Sequence, residues 1–137
     1  MSYNRWKMIT ISKKVEYSII LISYLAKHKG ETVSLADVAK RLVLPYRFLG
    51  QLAGALKAGG LIDSREGKSG GYSLNAGWEK KSLYDLLEAL GENKHMVKCL
   101  AGNVVCAREA DCQLRGVWDK MEKSFTKELK EIKLAEL

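Results

Sequence analysis

The 137-residue sequence lacks the features that mark membrane proteins, secreted proteins and common enzymes. It contains no run of 18 apolar residues, so we expect no helix that spans a membrane. The opening residues, MSYNRWK, lack the apolar core of a secretion signal, and we therefore expect a cytoplasmic protein. The sequence contains no recognisable nucleotide-binding loop and no acid–base pair, so we expect neither catalysis nor a small-molecule substrate.

Cysteine is also scarce, but the three cysteines lie together in the segment CLAGNVVCAREADC, as Cys99, Cys106 and Cys112. An odd number of cysteines is a poor disulfide framework, and cytoplasmic thiols stay reduced. The spacing differs from the C-x2-C pairs typical of zinc fingers, although a zinc-binding loop remains an alternative. Three thiolates spread over one loop are more typical of an iron–sulfur centre. Because the chain has only three cysteines, a fourth ligand would have to be another residue.

The positive charge is concentrated in the first part of the chain. Residues 1–81 contain 14 lysines and arginines against six acidic residues, whereas residues 82–137 contain nine against ten. A basic segment followed by a nearly neutral one indicates a module that binds a polyanion such as nucleic acid, followed by a different unit. A basic surface that is merely solvated would give the same totals.

Apolar spacing and capping residues predict a mainly helical protein. The single proline, Pro45, stands where a helix can begin, and the glycine-rich segment 65–71 can form the tip of a hairpin. The elements expected are a helix from Ser12 to about His28, a helix capped by Ser34 that ends before Val43, a helix from Pro45 to Gly59, strands 61–64 and 72–74, and a helix capped by Ser82 that ends at Gly91.

Two short helices joined by a tight turn and followed by a hairpin predict a winged helix-turn-helix DNA-binding domain over residues 1–81. Since Val43 is β-branched, we expect the turn to avoid the left-handed conformation that many such turns adopt. The third helix would enter the major groove, where Arg47 can bind guanine or only phosphate and Gln51 can bind adenine. The remaining candidate DNA contacts are Tyr46 beside them, Lys40, Arg41 and Lys57 on phosphates, and Arg65, Lys68 and Ser69 in the wing.

The second unit, residues 82–137, is expected to comprise a helix, the cysteine loop over 92–112 and a long helix over 111–134. The long helix would reach roughly 35 Å, which is more than a domain of this size can cover, so a helix of a second subunit is the expected partner. Its apolar stripe is the predicted dimerisation surface and consists of Leu114, Val117, Trp118, Met121, Phe125, Leu129 and Ile132.

Several segments together resemble one family: ISKKVEYSIILISYLA, LADVAKRL, FLGQLAGALKAGGLI, the wing REGKSGGYSL, the three-cysteine loop, CQLRGVW and the closing LAEL. From about Met8 to Leu137 the chain is similar to the IscR/NsrR/RirA family of bacterial winged-helix transcription regulators, also called the BadM/Rrf type. The resemblance implies a homodimer that binds a partly palindromic DNA operator, and we expect it to act as a repressor. It also implies an iron–sulfur cluster, of the 2Fe–2S or 4Fe–4S type, that senses iron–sulfur status, iron, nitric oxide or redox state.

The resemblance leaves the fourth cluster ligand open. Isc-type regulators have a histidine three residues after the last cysteine, where this chain has Arg115. Relatives of the nitric-oxide-sensing type have an acidic residue just before a tyrosine in the first helix, which matches Glu16 here. Glu16, of the same or the opposite subunit, is therefore the expected fourth ligand, with His95 as a lesser candidate and a surface role for Glu16 as the alternative. Some relatives lack the cluster, so a regulator controlled by thiol chemistry or a partner protein is the second hypothesis.

Overall fold

The computed structural model describes residues 12–68, 70–92, 95, 100 and 112–137. As predicted, the described chain is mainly helical, with one small antiparallel sheet. The elements are α1 (Lys13–Lys27), α2 (Leu35–Leu42), α3 (Tyr46–Ala58), β1 (Ile62–Arg65), β2 (Gly71–Leu74), α4 (Leu83–Ala89) and α5 (Gln113–Glu131), with 3-10 turns at Trp78–Lys80 and Leu134–Glu136.

Three helices, α1, α2 and α4, are capped by serines at the predicted positions. The Oγ atom of Ser12 accepts a hydrogen bond from the Val15 amide at 3.4 Å, and that of Ser34 accepts one from the Asp37 amide at 3.1 Å. Ser82 and Asp85 bond reciprocally and form a complete capping box. Since a side-chain cap satisfies amides that the helix leaves without partners, each serine fixes the residue at which its helix starts.

The turn between α2 and α3 differs from the prediction. Val43 has φ 56° and ψ 51°, which is the left-handed conformation that its β-branched side chain was expected to avoid. The amide of Leu44 donates to the carbonyl of Ala39 at 3.0 Å, in the pattern of a Schellman motif that satisfies the last carbonyls of α2. The Val43 side chain is 87% exposed, so packing does not oppose this backbone conformation. Pro45 then precedes α3 as its N-cap, one residue before the helix starts.

The core lies where α1 to α4 meet the first strand. Leu21 on α1, Val38 on α2 and Leu49 on α3 are fully buried, as is Leu86 on α4. In the sheet, Ile62 pairs with Leu74 and Arg65 with Gly71, and two hydrogen bonds between Val33 and Tyr72 add an isolated bridge to β2. This core holds α2, α3 and the hairpin in one helix-turn-helix unit with a wing.

The end of the chain returns to this unit. The long helix ends at Glu131, so it is shorter than the expected 111–134, and Ile132 is extended. The carbonyl of Ile132 accepts from the Leu83 amide at 2.8 Å, and the Leu134 amide donates to the Lys81 carbonyl at 2.9 Å. The side chain of Leu134 is 3% exposed and belongs to the core. We refer to this contact of residues 132–134 with 81–83 as the C-terminal clasp.

None of the helices within the described ranges is long and apolar enough to cross a membrane.

Candidate nucleic-acid interface and cysteine segment

One face of α3 is buried and the opposite face is open. Leu49, Leu52, Ala53 and Leu56 are at most 1% exposed, and successive residues are turned by about 100° around a helix. The opposite face therefore projects away from the core, and its exposed members are Tyr46, Arg47, Gly50, Gln51, Gly54, Lys57 and Ala58. All the sequence-predicted contacts on this helix thus lie on a single exposed surface, which we call the α3 face.

The start of α3 carries no side-chain cap. Pro45 occupies the N-cap position and has no side-chain acceptor for the first amides. Uncapped amides at a helix N-terminus carry a partial positive charge and can donate to anions such as phosphate. The start of the α3 face is thus suited to a polyanion, and the exposed guanidinium of Arg47 adds a full charge beside it.

Further cations border the α3 face on the preceding helix. Lys40 and Arg41 lie in the last turn of α2 and are exposed. Cations at a helix C-terminus also stabilise the helix through its dipole, so both residues have a structural role in addition to the predicted one.

The predicted wing is the hairpin formed by β1 and β2. Arg65 ends β1 and Lys68 lies in the connecting tip, both of them exposed, whereas Ser69 lies outside the described residues. Gly71 has φ 154°, and a Cβ there would lie 2.6 Å from the Val33 carbonyl oxygen, so only glycine allows β2 to lie against residue 33. The hairpin therefore presents cations from a tip that is fixed to the core at its base.

Two of the predicted cluster ligands, Cys99 and Cys106, lie outside the described residues. Cys112 is half-buried, has a free thiol and is the N-cap of α5, where its side chain does not cap the helix. Among the residues that the structure describes, no three histidine, cysteine or acidic side chains group closely enough to hold a metal ion. The predicted ligand set is therefore represented here only by Cys112 and Glu16.

Glu16 lies in the first turn of α1 and is half-exposed. Its carboxylate accepts from Nζ of Lys13 at 3.1 Å, and the two side chains are 49% and 70% exposed. This hydrogen bond and the Glu16 charge raise the pKa of Lys13 above its usual value. Such exposed ion pairs are weak, so the Glu16 carboxylate can exchange Lys13 for another cationic partner.

The lesser candidate for the fourth position, His95, and Arg115, which replaces the histidine of Isc-type regulators, both lie near α5. Nδ1 of His95 lies 2.6 Å from a carboxylate oxygen of Glu122. Arg115 is partly buried in the first turn of α5, and it is not a free cation. His95 is thus attached to the helix that begins at Cys112.

The apolar stripe on α5 separates into two parts. Leu114, Val117, Met121 and Phe125 are 55%, 49%, 46% and 40% exposed, and their spacing of three or four residues places them on one side of the helix. The other three predicted members are half-buried, and they are Trp118, Leu129 and Ile132. Since α4 packs against α5, part of the stripe is covered within the chain and part is left open.

An aromatic contact that the sequence did not reveal joins α1 to α3. The rings of Tyr17 and Phe48 meet edge to face with their centroids 5.6 Å apart. Tyr17 follows the candidate ligand Glu16, and Phe48 follows Arg47 on the α3 face. Helical periodicity could not have indicated this contact, because the two helices are far apart in the sequence. The one available signal was that each ring lies next to a predicted functional residue.

Comparisons with known proteins agree with this architecture. A family model described as "Rrf2: Iron-dependent Transcriptional regulator" matches residues 11–137. A Haemophilus influenzae protein named as an HTH-type transcriptional regulator is 33% identical over 128 residues, which are 93% of this chain and 85% of that protein.

Two solved structures are also similar. The structure of CymR, the global cysteine regulator of B. subtilis, is 26% identical with a TM-score of 0.74, over 93% of this chain and 95% of that one. The structure of T. potens IscR is 29% identical with a TM-score of 0.70, over 93% of this chain and 84% of that one. The protein therefore belongs to the Rrf2 family of transcriptional regulators, which are DNA-binding proteins and not enzymes.

Proposed function

We propose that this regulator represses transcription as a homodimer and that an iron–sulfur cluster at its cysteine segment controls how it binds an operator. Each subunit would place the α3 face in a major groove and its wing beside a minor groove. The observation that carries the proposal is the combination of an open cationic α3 face with three cysteines in the segment that leads into α5.

The side chains on the α3 face have distinct roles in this proposal. Arg47 and Gln51 lie one turn apart and can each donate two hydrogen bonds to a base, guanine for Arg47 and adenine for Gln51. Lys57, near the end of the helix, would bind phosphate, together with Lys40 on α2. Tyr46 is 61% exposed at the start of α3, where it can contact the sugar–phosphate backbone. Arg65 and Lys68 would bind beside the minor groove from the wing, with Ser69.

The exposed part of the α5 stripe supports dimerisation. Four large apolar side chains, about half-exposed and next to one another, are typical of a surface that another molecule covers. A second copy of α5 is the simplest cover, because a stripe with helical spacing packs well against the same stripe on a partner helix. Symmetric pairing would also match the two half-sites of a palindromic operator.

The donor residues suit an iron–sulfur cluster. Thiolates are its usual ligands, and Cys99, Cys106 and Cys112 supply three of them. Cys112 is the N-cap of α5, where the first amides and the helix dipole favour a bound anionic group such as a thiolate-ligated cluster. The Glu16 carboxylate, bound only by the exposed Lys13 among the described residues, would complete the set. When bound, the cluster would supply sensitivity to iron, nitric oxide and redox state, in a 2Fe–2S or 4Fe–4S form.

The contacts around Glu16 suggest how the two sites communicate. A carboxylate drawn away from Lys13 would shift the start of α1, and Tyr17 directly follows Glu16 there. Because Tyr17 packs edge-on against Phe48, that shift would reach the first turn of α3 beside Arg47. A ligand that stabilises one of two arrangements of this contact would change DNA affinity.

Anaerobic purification followed by iron, sulfide and absorbance measurements tests the cluster. We expect a brown protein, loss of the colour in Cys106→Ala, and reduced cluster retention in Glu16→Gln. Glu31→Gln is the matched control, since Glu31 is an exposed glutamate outside the proposed ligand set. A colourless wild-type protein with three titratable thiols would contradict the cluster.

The second candidate is a regulator without a cluster, controlled by thiol chemistry or by a partner protein. Two observations favour it: Arg115 replaces the histidine that Isc-type relatives use, and CymR, a cysteine regulator, has a similar structure. In that case oxidation of the thiols, with no iron present, would change operator affinity.

A further inference from the structure

Most glycines that the structure describes have a reason within the chain. A Cβ on Gly59 would lie 2.5 Å from that of Ala89, and one on Gly70 would meet the backbone of the hairpin tip. Six others have a positive φ that side chains rarely adopt, and they are Gly30, Gly60, Gly67, Gly71, Gly77 and Gly91. Three glycines fit neither class, and they are Gly50, Gly54 and Gly116.

These three glycines lie inside helices and oppose helix formation. Glycine is among the least favourable residues in a helix interior because it loses the most backbone entropy on folding. At all three positions a Cβ would meet no atom of the described residues within 4 Å, apart from its chain neighbours and the nearby backbone of its own helix, and φ is not positive. Alanine would therefore fit and would stabilise each helix. Packing among the residues that the structure describes does not explain the glycines.

Two of the three lie on the α3 face, one turn apart. With about 100° between successive residues, Gly50 and Gly54 occupy the middle of that face, so the helix backbone is bare there. Longer side chains border the bare strip on both sides: Tyr46 and Lys57 on one, Arg47 and Gln51 on the other. Among the described residues, the side chains of Arg47, Gln51 and Lys57 make no hydrogen bond or ion pair, so they are available to another molecule.

We propose that Gly50 and Gly54 set how closely the backbone of α3 approaches duplex DNA, an inference that rests on α3 being the helix that enters the groove. A bare strip lets the base edges and groove walls reach the helix backbone while the bordering side chains extend along both sides. A Cβ at either position would hold the helix away from the base edges. Arg47 and Gln51 would then lose the short, directional hydrogen bonds that distinguish bases.

The test compares three alanine substitutions in the full-length protein, prepared anaerobically. The probe is a duplex that the wild-type protein selects from a randomised pool. Gly50→Ala and Gly54→Ala should each raise the melting temperature by roughly 3 °C, as expected for removal of a mid-helix glycine in a domain of this size. Each should also weaken binding to the selected duplex at least fivefold.

Gly116→Ala on α5 is the matched control, because it makes the same change away from the α3 face, at a helical position that is equally open among the described residues. It should raise the melting temperature similarly and leave DNA affinity unchanged. Unchanged affinity in both α3 variants would overturn the inference, and so would a lower melting temperature, since the glycines would then serve the fold.

Arg47→Ala, measured beside them, separates this inference from the proposed function. If Arg47→Ala weakens binding while the glycine variants do not, only the role of the glycines is wrong. If Arg47→Ala and both glycine variants all bind like the wild type, α3 does not read the duplex and the proposed function is wrong with it.

Discussion

Substitution of Val43 by glycine should stabilise the protein, although it removes an apolar side chain. The left-handed conformation costs a non-glycine residue about 1–2 kcal/mol, and Val43 adopts it with φ 56°. Glycine removes that strain but loses about 0.5–1 kcal/mol through the greater freedom of the unfolded chain. Because the side chain is 87% exposed, little burial is lost. The net gain should be about 0.5–1 kcal/mol, or about 2–3 °C in melting temperature.

Urea denaturation followed by circular dichroism measures this gain, at one protein concentration and without metal so that neither dimerisation nor ligand binding differs between samples. Val43→Ala is the control, because it shortens the side chain and keeps a residue that resists the left-handed conformation. We expect Val43→Gly to be more stable than both the wild type and Val43→Ala. If Val43→Gly were the least stable of the three, the turn would not be left-handed and the reasoning from its geometry would be wrong.

Three further changes test the core, the C-terminal clasp and the α5 stripe. Ser18→Ala should raise the free energy of unfolding by about 1 kcal/mol, because the buried Ser18 Oγ has no hydrogen-bond partner among the described residues; a loss in urea denaturation would reveal a partner. Leu134→Ala should cost about 2–5 kcal/mol in the same assay, whereas Leu137→Ala, at a 51% exposed position, should be nearly neutral; equal effects would mean that the clasp is not formed. Met121→Glu should give monomers in sedimentation, with Lys120→Glu as the exposed control; a dimer that survives Met121→Glu would place the interface elsewhere.

The sequence predicted the helix starts well because their causes are local. Ser12, Ser34 and Ser82 each bond to an amide three residues ahead, so a short pattern contains the whole interaction. The buried face of α3 was predictable for the same reason, since its apolar residues recur with the helical period. The winged arrangement followed once these elements were placed in order.

The failures concern interactions that are not local. The conformation of Val43 depends on the Leu44–Ala39 bond and on how Leu44 packs, and these outweigh the preference of a single β-branched residue. Ile132 has helical spacing from Leu129 and Phe125 in the α5 stripe, but its backbone is extended and belongs to the clasp. Backbone groups of Lys81 and Leu83 offer partners there that the sequence pattern does not display. The Tyr17–Phe48 contact was not predictable either, as it depends on how two helices cross. Which residues bind DNA or iron stays a prediction.

Control of DNA binding by the cluster is tested most directly by titrating the selected DNA duplex with anaerobically prepared protein, once with its iron–sulfur cluster and once after chelation has removed it. We expect a clear difference in affinity or in footprint length between the two forms, and no such difference for Cys106→Ala. Identical curves and footprints for the two wild-type forms would contradict control by the cluster.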